Sequence, residues 1–460
     1  MFHLFFLIIF VLLNFSKLSG ERIQSDSPNV ILIYADDLGW DKLSSYGHPF
    51  HETPNIDKLA SQGIRFTSAY SGGPVCAPSR ACLMSGQYVV QHGIYRVNQV
   101  DTKYPKYRAT IPPQNEVILR KNIETMADVF SKNGYKTGYS GKWHLGYEEG
   151  YQPIDRGFDE MLLTRSPSGD KRYFYPTFST VPKIKIEQGA YMGDVITNWA
   201  KGFIDRNKQE RFFLYLPYFN VHGPHEAKEK LIEKYKKKNP NKKHKEHVYA
   251  AMHEHLDNHV GELLSTLKNL KLNKNTLIIF TSDNGHLVDF NEGVHRGGKS
   301  YLYEGGIRTP MIIRWPDKIK PGQVSDEIVH QVDLYPTLMK VIGAKPSSQK
   351  LDGINIEETL YSTSKQGQLD RSLFWHYPTY MKFDKHAKKY KVTPCSAIRK
   401  GNYKLIEYFT EDKIELFNLK NDPKEENNLK NKLPEKTREL KKLLTQWRKD
   451  NKAMMPVKKR

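Results

Sequence analysis

Short apolar runs alternate with longer amphipathic stretches along most of the chain. Runs rich in β-branched and aromatic residues predict buried strands at residues 29–34, 135–140, 212–216, 276–281 and 311–314. Apolar residues with helical spacing predict helices at residues 53–62, 123–133 and 247–270. Strands that alternate with helices in this way predict an α/β fold, with a large, mostly parallel sheet between two layers of helices.

The pattern changes near residues 351–371, where small and polar residues dominate. Beyond this segment, short alternating runs predict antiparallel strands at residues 396–400, 403–408 and 414–419. A helical face follows at Leu440, Leu443, Leu444 and Trp447. Because 460 residues are many for one core, we expect a large domain over residues 21–360 and a smaller α+β domain over residues 361–460.

Polar clusters follow the predicted strands of the large domain. The clusters contain Asp36 and Asp37, Lys142 and His144, His222, and Asp283 with Asn284. In open α/β sheets, ligands bind beyond the carboxyl ends of the strands. These separate segments of sequence therefore predict one shared site, although either histidine alone is more typical of a structural role.

The acidic clusters indicate a metal site. Two adjacent carboxylates, Asp36 and Asp37, repel each other unless a cation or a proton lies between them. With Asp283 and the amide oxygen of Asn284 they form an all-oxygen set, which suits one hard divalent cation, Ca²⁺ with Mg²⁺ as the alternative. A solvated loop or a helix cap is the competing interpretation of an Asp-Asp pair.

Zinc is not expected, because no cysteine or histidine cluster accompanies these carboxylates. His255 and His259 stand four residues apart on the longest predicted helix. They lack a third ligand, so we expect a solvated or capping role for both.

A cysteine lies at the centre of the segment GGPVCAPSRACLMSGQ, residues 72–87. Pro78 and Ser79 favour a helix start just after Cys76, and Arg80 then lies within one turn of its thiol. A buried structural cysteine is the alternative.

Lys299 lies in a glycine-rich segment. Such a segment either allows the close approach of a ligand or forms a plain surface loop.

Lysine and arginine number 71 against 51 aspartates and glutamates, a formal net charge of +20. Such a chain attracts polyanions, for example nucleic acids, anionic membranes or sulfated polysaccharides. The densest lysine run, residues 228–245, has little aromatic interleaving and is typical of a solvated helix and loop. We therefore do not expect nucleic acid as a partner.

Residues 2–13 are apolar but too few to span a bilayer, so residues 1–20 are predicted to be a cleaved secretory signal, with a retained anchor as the alternative. We expect a secreted protein without stable membrane insertion.

Three cysteines are too few for a disulfide framework. Cys82 and Cys395 are either a pair or two free thiols.

The motif C-x-P-S-R at Cys76, continued by Leu83, Ser85 and Gly86, resembles the signature of the type I sulfatases. D-D-L-G, G-K-W-H-L-G, H-x-P, S-D-N-G and G-K-x-x-x-Y-E-G-G follow the order of that family, and the segment NLKNDPKEENN is also similar. The resemblance implies an alkaline-phosphatase-like fold and conversion of Cys76 to formylglycine by a formylglycine-generating enzyme. It implies a sulfuric ester hydrolase acting on sulfated small molecules or polysaccharides.

Read onto this chain, the resemblance implies that Asp36, Asp37, Asp283, Asn284 and converted Cys76 bind the metal. It also implies that the sulfate is surrounded by Arg80, Lys142, His144, His222 and Lys299. Ser168 is a loosely matched further pocket residue.

Two other functions compete with that of a sulfatase. They are a phosphodiesterase or phosphonate hydrolase of the same superfamily, and an inactive glycan-binding protein. The natural sugar, the oligomeric state and the compartment after secretion stay open.

Overall fold

A nine-stranded mixed sheet forms the centre of the computed structural model, which describes residues 27–99, 104–165, 172–345, 347–362 and 370–459. Its strands are β1 (Asn29–Ala35), β2 (Ile64–Tyr70), β4 (Lys136–Gly141), β5 (Glu160–Arg165), β6 (Ser179–Val181), β7 (Phe212–Pro217), β8 (Thr276–Ser282), β9 (Met311–Arg314) and β10 (Gln323–His330). Their order across the sheet is β10-β2-β9-β8-β1-β7-β4-β5-β6.

The middle of this sheet is parallel. Strand β1 pairs in parallel with β7 and β8, and β4 pairs in parallel with β7 and β5, whereas β9 runs antiparallel to both of its neighbours. Alternate side chains of β1 enter two separate cores, Val30 and Leu32 on one face and Ile31 and Ile33 on the other. Burial of both faces explains why these strands are continuous apolar runs.

Helices cover both faces of the sheet, as the sequence predicts. One face packs against α1 (Pro54–Ser61), α5 (Met192–Arg206), α6 (Glu229–Lys238) and α7 (His244–Asn269). The other face packs against α2 (Cys76–Ser85), α4 (Met126–Lys132), α9 (Leu334–Val341) and α10 (Glu357–Tyr361). Two single turns of helix, α3 (Val89–His92) and α8 (Glu304–Ile307), complete this part of the chain.

A second, antiparallel sheet follows, with the strand order β11-β14-β15-β16. It consists of β11 (Ser372–Tyr377), β14 (Cys395–Lys400), β15 (Tyr403–Tyr408) and β16 (Lys413–Asn418), and α11 (Pro434–Asp450) packs on it through Leu440 and Leu444. The hairpin β12 (Met381–Asp384) and β13 (Lys389–Val392) projects beside it, and β3 (Thr110–Ile111) pairs with β17 (Val457–Lys458). The predicted terminal sheet and helix are confirmed.

A buried ion cluster ties the second sheet to the loop that carries Lys299. The ammonium group of Lys404 on β15 lies 3.0 Å from Glu304 Oε1 and 2.9 Å from Glu425 Oε1, and all three side chains are fully buried. The backbone N–H of Glu304 donates to Glu425 Oε2 at 2.7 Å. Because Glu304 follows Lys299 by five residues, the second sheet helps to fix the position of that loop.

Two expectations from the sequence need correction. His255 and His259 are buried rather than solvated or capping, since α7 packs against α5 there, and His259 Nε2 lies 2.9 Å from Asp194 Oδ1. Helix α2 begins at Cys76 itself, two residues earlier than Pro78 suggests, because the first turn of a helix requires no N–H from a proline.

All three cysteines are free thiols, which resolves the choice left open for Cys82 and Cys395. Within the described ranges, no helix has the length and apolar character that crossing a bilayer requires. The predicted signal at residues 1–20 and the residue Ser168 lie outside the described residues.

Candidate functional site

The predicted polar clusters meet at one edge of the central sheet. Asp36 and Asp37 follow β1, and the clusters after β7 and β8 lie on either side of them, because β1 pairs in parallel with both strands. The cluster after β4 lies one strand farther along the sheet. Helix α2 adds Cys76 and Arg80, and the loop between β8 and β9 adds Lys299.

Three buried carboxylates form the centre of the site. Asp36, Asp37 and Asp283 have oxygen atoms within 4.8 Å of one another, and each side chain is at most 1% exposed. The backbone of Asp37 adopts a left-handed conformation, with φ of 61°, and its N–H donates to Asp283 Oδ1 at 3.1 Å. Asn284 Nδ2 donates to Asp37 Oδ1 at 2.8 Å. A strained turn therefore holds the carboxylates together.

Each carboxylate has its own cationic partner. Lys142 Nζ lies 2.5 Å from Asp36 Oδ2, Lys299 Nζ lies 2.8 Å from Asp37 Oδ1, and Arg80 Nη2 donates to Asp283 Oδ2 at 2.8 Å. Three positive and three negative side chains thus share a volume from which water is largely excluded. Such a cluster is costly to bury unless its charges are matched, and here they are.

The pKa values of the carboxylates reflect this mixture of charges. Burial alone would raise the pKa of Asp36, but Lys142, His222 and Arg80 hold it well below its usual range. Burial and the neighbouring Asp36 raise the pKa of Asp283. The cluster therefore favours added positive charge at Asp283.

Cys76 is the first residue of α2 and is 2% exposed. Its Sγ lies within 4.8 Å of a carboxylate oxygen of Asp36 and of a ring nitrogen of His222. Burial raises the pKa of the thiol, so at neutral pH the encoded cysteine is protonated and a poor nucleophile. Arg80 Nη1 donates to the carbonyl oxygen of Lys142 at 2.8 Å and connects α2 to the loop after β4.

Two histidines border the carboxylates. His222 Nε2 lies 3.7 Å from Asp37 Oδ2, and burial lowers the pKa of His222 to about 4 although Asp37 opposes the shift. His144 has a left-handed backbone, with φ of 66°, and burial together with Lys142 and Arg80 lowers its pKa well below the usual value. Both imidazoles are therefore neutral at neutral pH and can accept a proton.

The donor set fits a divalent cation. Asp36 Oδ1 and Asn284 Oδ1 are buried oxygens that accept no hydrogen bond from any described residue. Buried polar atoms in proteins nearly always have a partner, so two orphaned oxygens beside a carboxylate triad match the ligands of a hard cation.

The structure brings together all ten predicted site residues that it describes, namely Asp36, Asp37, Cys76, Arg80, Lys142, His144, His222, Asp283, Asn284 and Lys299. It adds Arg172, whose Nη1 lies 3.3 Å from His222 Nδ1. No sequence pattern marks Arg172, because it follows a segment without a predicted strand.

Residues 28–344 match the family described as Sulfatase, and residues 293–450 match N-sulphoglucosamine sulphohydrolase, C-terminal. N-acetylgalactosamine-6-sulfatase of Mus musculus is 32% identical over 76% of this chain and 68% of its own length. Arylsulfatase A of Homo sapiens is 33% identical over 84% of this chain and 75% of its own. The crystal structure of Ps i-CgsB in complex with k-i-k-neocarrahexaose has a TM-score of 0.78 and 28% identity, and covers 92% of this chain and 93% of its own.

Proposed function

The chain belongs to the sulfatase family and is a sulfuric ester hydrolase, and from that premise we propose that it removes sulfate from carbohydrates with a formylglycine nucleophile made from Cys76. The observation that supports this proposal most directly is the position of Cys76, at the start of a helix and next to a carboxylate and a histidine. The protonated thiol at this position is a poor nucleophile, whereas a hydrated aldehyde offers two hydroxyl groups. A formylglycine-generating enzyme would carry out the conversion.

In this proposal Asp36, Asp37, Asp283, Asn284 and converted Cys76 hold one divalent cation, Ca²⁺ with Mg²⁺ as the alternative. When bound, such a cation polarises oxygen atoms and neutralises charge on a transferring group. The orphaned oxygens of Asp36 and Asn284 support this assignment.

Arg80, Lys142 and Lys299 bind the sulfate group in the proposed reaction and stabilise the charge on its oxygens in the transition state. One hydroxyl of the hydrated aldehyde attacks sulfur and gives its proton to the carboxylate of Asp283, whose pKa is raised by burial and by Asp36. An O–S bond forms, and the bond between sulfur and the ester oxygen breaks. His222, with Lys299, gives a proton to the leaving alcohol. His222 carries that proton only after an anionic substrate raises its pKa from about 4.

The sulfated residue then releases sulfate without attack of water on sulfur. The second hydroxyl of the diol gives its proton to His144, the carbon–oxygen bond to sulfate breaks, and the aldehyde forms again. His144 suits this role because its imidazole is neutral at neutral pH. Water then restores the diol.

We propose a sulfated carbohydrate as the natural substrate. The relatives include N-acetylgalactosamine-6-sulfatase, and Ps i-CgsB was crystallised with an oligosaccharide. The net charge of +20 also favours a polyanionic substrate. We further propose that the protein enters the secretory pathway, with residues 21–360 as its catalytic domain and residues 361–460 as its C-terminal domain.

Hydrolysis of 4-nitrophenyl sulfate against bis(4-nitrophenyl) phosphate tests the reaction class. We expect the mature protein to favour the sulfate ester, because three cations match its three terminal oxygens, whereas a phosphodiester has only two and carries a second organic substituent. Both esters release the same chromophore, so one assay compares them at equal concentration. A higher kcat/KM for the phosphodiester would replace the proposed activity with that of a phosphodiesterase.

The His222→Ala variant should lose most activity on esters with poor leaving groups. General acid catalysis contributes roughly 10²–10⁴-fold, and it matters little when the leaving group needs no proton. We expect a loss in that range for a sugar or alkyl sulfate and a loss of less than about tenfold for 4-nitrophenyl sulfate. Equal losses on both esters would assign His222 to sulfate binding rather than to protonation.

A further inference from the structure

A large cleft lies beside the candidate site, between the loop that carries Lys299 and the second sheet. It has a volume of about 560 Å³, within the range of small-molecule sites. Val288, Gly297 and Tyr301 form one wall, and β13 with the adjoining ends of β14, β15 and β16 forms the other.

The cleft adjoins the loop that brings Lys299 to the candidate site. Its first wall belongs to the same loop as Lys299, and Gly297 precedes that lysine by two residues. Lys382 at the hairpin lies above the Tyr301 ring, with Nζ 5.1 Å from the ring centroid. Burial and the charge of the Lys299 ammonium lower the pKa of Lys382. A ligand that extends from the sulfate position past Lys299 would therefore meet the first wall of the cleft.

Aromatic rings line the cleft together with a rigid polar floor. Tyr301, Tyr303, Tyr390 and Tyr408 all contribute to its walls. The hydroxyls of Tyr303 and Tyr408 both donate to Glu415 Oε2, at 2.6 Å and 3.0 Å. Flat aromatic faces pack against the C–H groups of a pyranose ring, and fixed hydroxyls reduce the entropy lost on binding.

Positive charge exceeds negative charge around the cleft. Its cations are Arg296, Lys382, Lys389, Lys391 and Lys413, and the neighbouring anions are Asp384, Glu411 and Glu415. Lys391 and Lys413 lie 3.2 Å and 3.3 Å from Asp384 and Glu415, so each is partly neutralised. The side chains of Lys389 and Lys391 are exposed at the mouth, where a charged ligand can approach them.

We propose that this cleft binds a second anionic sugar of the same substrate chain, the sulfated unit of which occupies the candidate site. The inference rests on the proposed function and names its substrate class, an extended polyanionic oligosaccharide rather than an isolated sulfated monosaccharide. The partly exposed rings of Tyr301 and Tyr408 contact the sugar ring, and the lysines at the mouth bind its sulfate or carboxylate group.

The test compares a double variant, Lys389→Ala with Lys391→Ala, with the wild type on a small and a large substrate. We expect KM for a sulfated hexasaccharide to rise roughly tenfold, with kcat little changed, because two charge-assisted contacts are lost. Hydrolysis of 4-nitrophenyl sulfate should stay within about twofold, because this ester does not reach the cleft. A Tyr301→Ala variant should give the same division between the two substrates.

The matched control is Lys236→Ala with Lys237→Ala, which removes two exposed lysines from α6. It lowers the net charge by the same amount, but neither lysine lines the cleft, so both KM values should stay unchanged. Hexasaccharides from carrageenan, charged by sulfates alone, and from chondroitin sulfate, which also carries carboxylates, distinguish the anion. The series of hexasaccharides whose KM rises more when Lys389 and Lys391 are replaced carries the anion that the cleft binds.

Binding to the Cys76→Ala variant, measured by calorimetry, covers the case in which no hexasaccharide is hydrolysed. If no hexasaccharide binds more tightly than 4-nitrophenyl sulfate, or if the cleft variants and the control behave alike, the proposed subsite is wrong. Absence of 4-nitrophenyl sulfate hydrolysis by the wild type would instead count against the proposed function. The two failures are therefore distinguishable.

Discussion

Replacing Cys76 by alanine should reduce sulfate release by on the order of 10⁴-fold or more while leaving the fold intact. Alanine cannot become an aldehyde, so the diol proposed to attack sulfur cannot form. The cost in stability should be small, about 1 kcal/mol, because the substitution removes a single sulfur atom and Cys76 pairs with no other cysteine. Hydrolysis of 4-nitrophenyl sulfate and thermal unfolding measure the two quantities.

Two further variants sharpen this prediction. Cys82→Ala removes a buried thiol two turns along the same helix, so it should retain activity and serve as the matched control. Cys76→Ser offers a single hydroxyl, so it can at most form a stable sulfate ester, detectable as a mass increase of one SO₃ group. Sustained turnover by the alanine or the serine variant would contradict a diol nucleophile at this position.

Removing the divalent cation proposed for this site should also abolish activity. In its absence, three carboxylates lie together with only their own cations to balance them, and the sulfate site loses a positive charge. We expect dialysis against a chelator to reduce turnover to background and added Ca²⁺ or Mg²⁺ to restore it. A cation at 100 times its dissociation constant should also stabilise the fold by about 2.7 kcal/mol, measured as a rise in Tm.

The Asp283→Asn variant assigns that effect to this site. It removes one ligand charge and breaks the 2.8 Å ion pair with Arg80, so it should be less stable and its Tm should not respond to the cation. Asp257→Asn is the control, since this buried carboxylate accepts hydrogen bonds from Asn55 and Ile56 of α1 and contacts no site residue. Equal cation responses in the two variants would place the ion elsewhere.

The centre of the fold was predictable because local and global preferences agree there. Strands buried on both faces require continuous apolar runs, so the sequence at β1, β7 and β8 identifies them without knowledge of their neighbours. Asp36 and Asp283 then follow from the same pattern, since parallel strands that lie side by side end at the same edge. The separation of 247 residues between Asp36 and Asp283 does not hide their proximity.

Other features were not predictable because they depend on tertiary packing. Nothing in the sequence around His255 and His259 indicates that they are buried. In the structure, the ring of Tyr191, the residue just before α5, packs on the ring of His255. Arg172 belongs to the candidate site only because the fold places it beside His222, which is 50 residues away in the sequence. The cleft beside Lys299 brings together residues from a loop and a hairpin that are distant in sequence. Each of these segments alone resembles an ordinary surface segment with lysines and tyrosines.

Lys404 illustrates the same limit in the second sheet. A lysine within an alternating strand is typical of a solvent-exposed position, but Lys404 is fully buried between Glu304 and Glu425. Only the structure reveals that this ion cluster connects β15 to α8 and to the loop of Lys299. The position of a residue in the candidate site thus depends on a contact in a distant part of the sequence.

Mass spectrometry of the tryptic peptide that covers residues 66–80 tests the proposed nucleophile most directly. The protein should be purified from a host that contains the formylglycine-generating enzyme, and its specific activity measured on the same sample. We predict an aldehyde in place of the Cys76 thiol, with sulfate release in proportion to the converted fraction. Full activity in a sample whose Cys76 is entirely unmodified would contradict it.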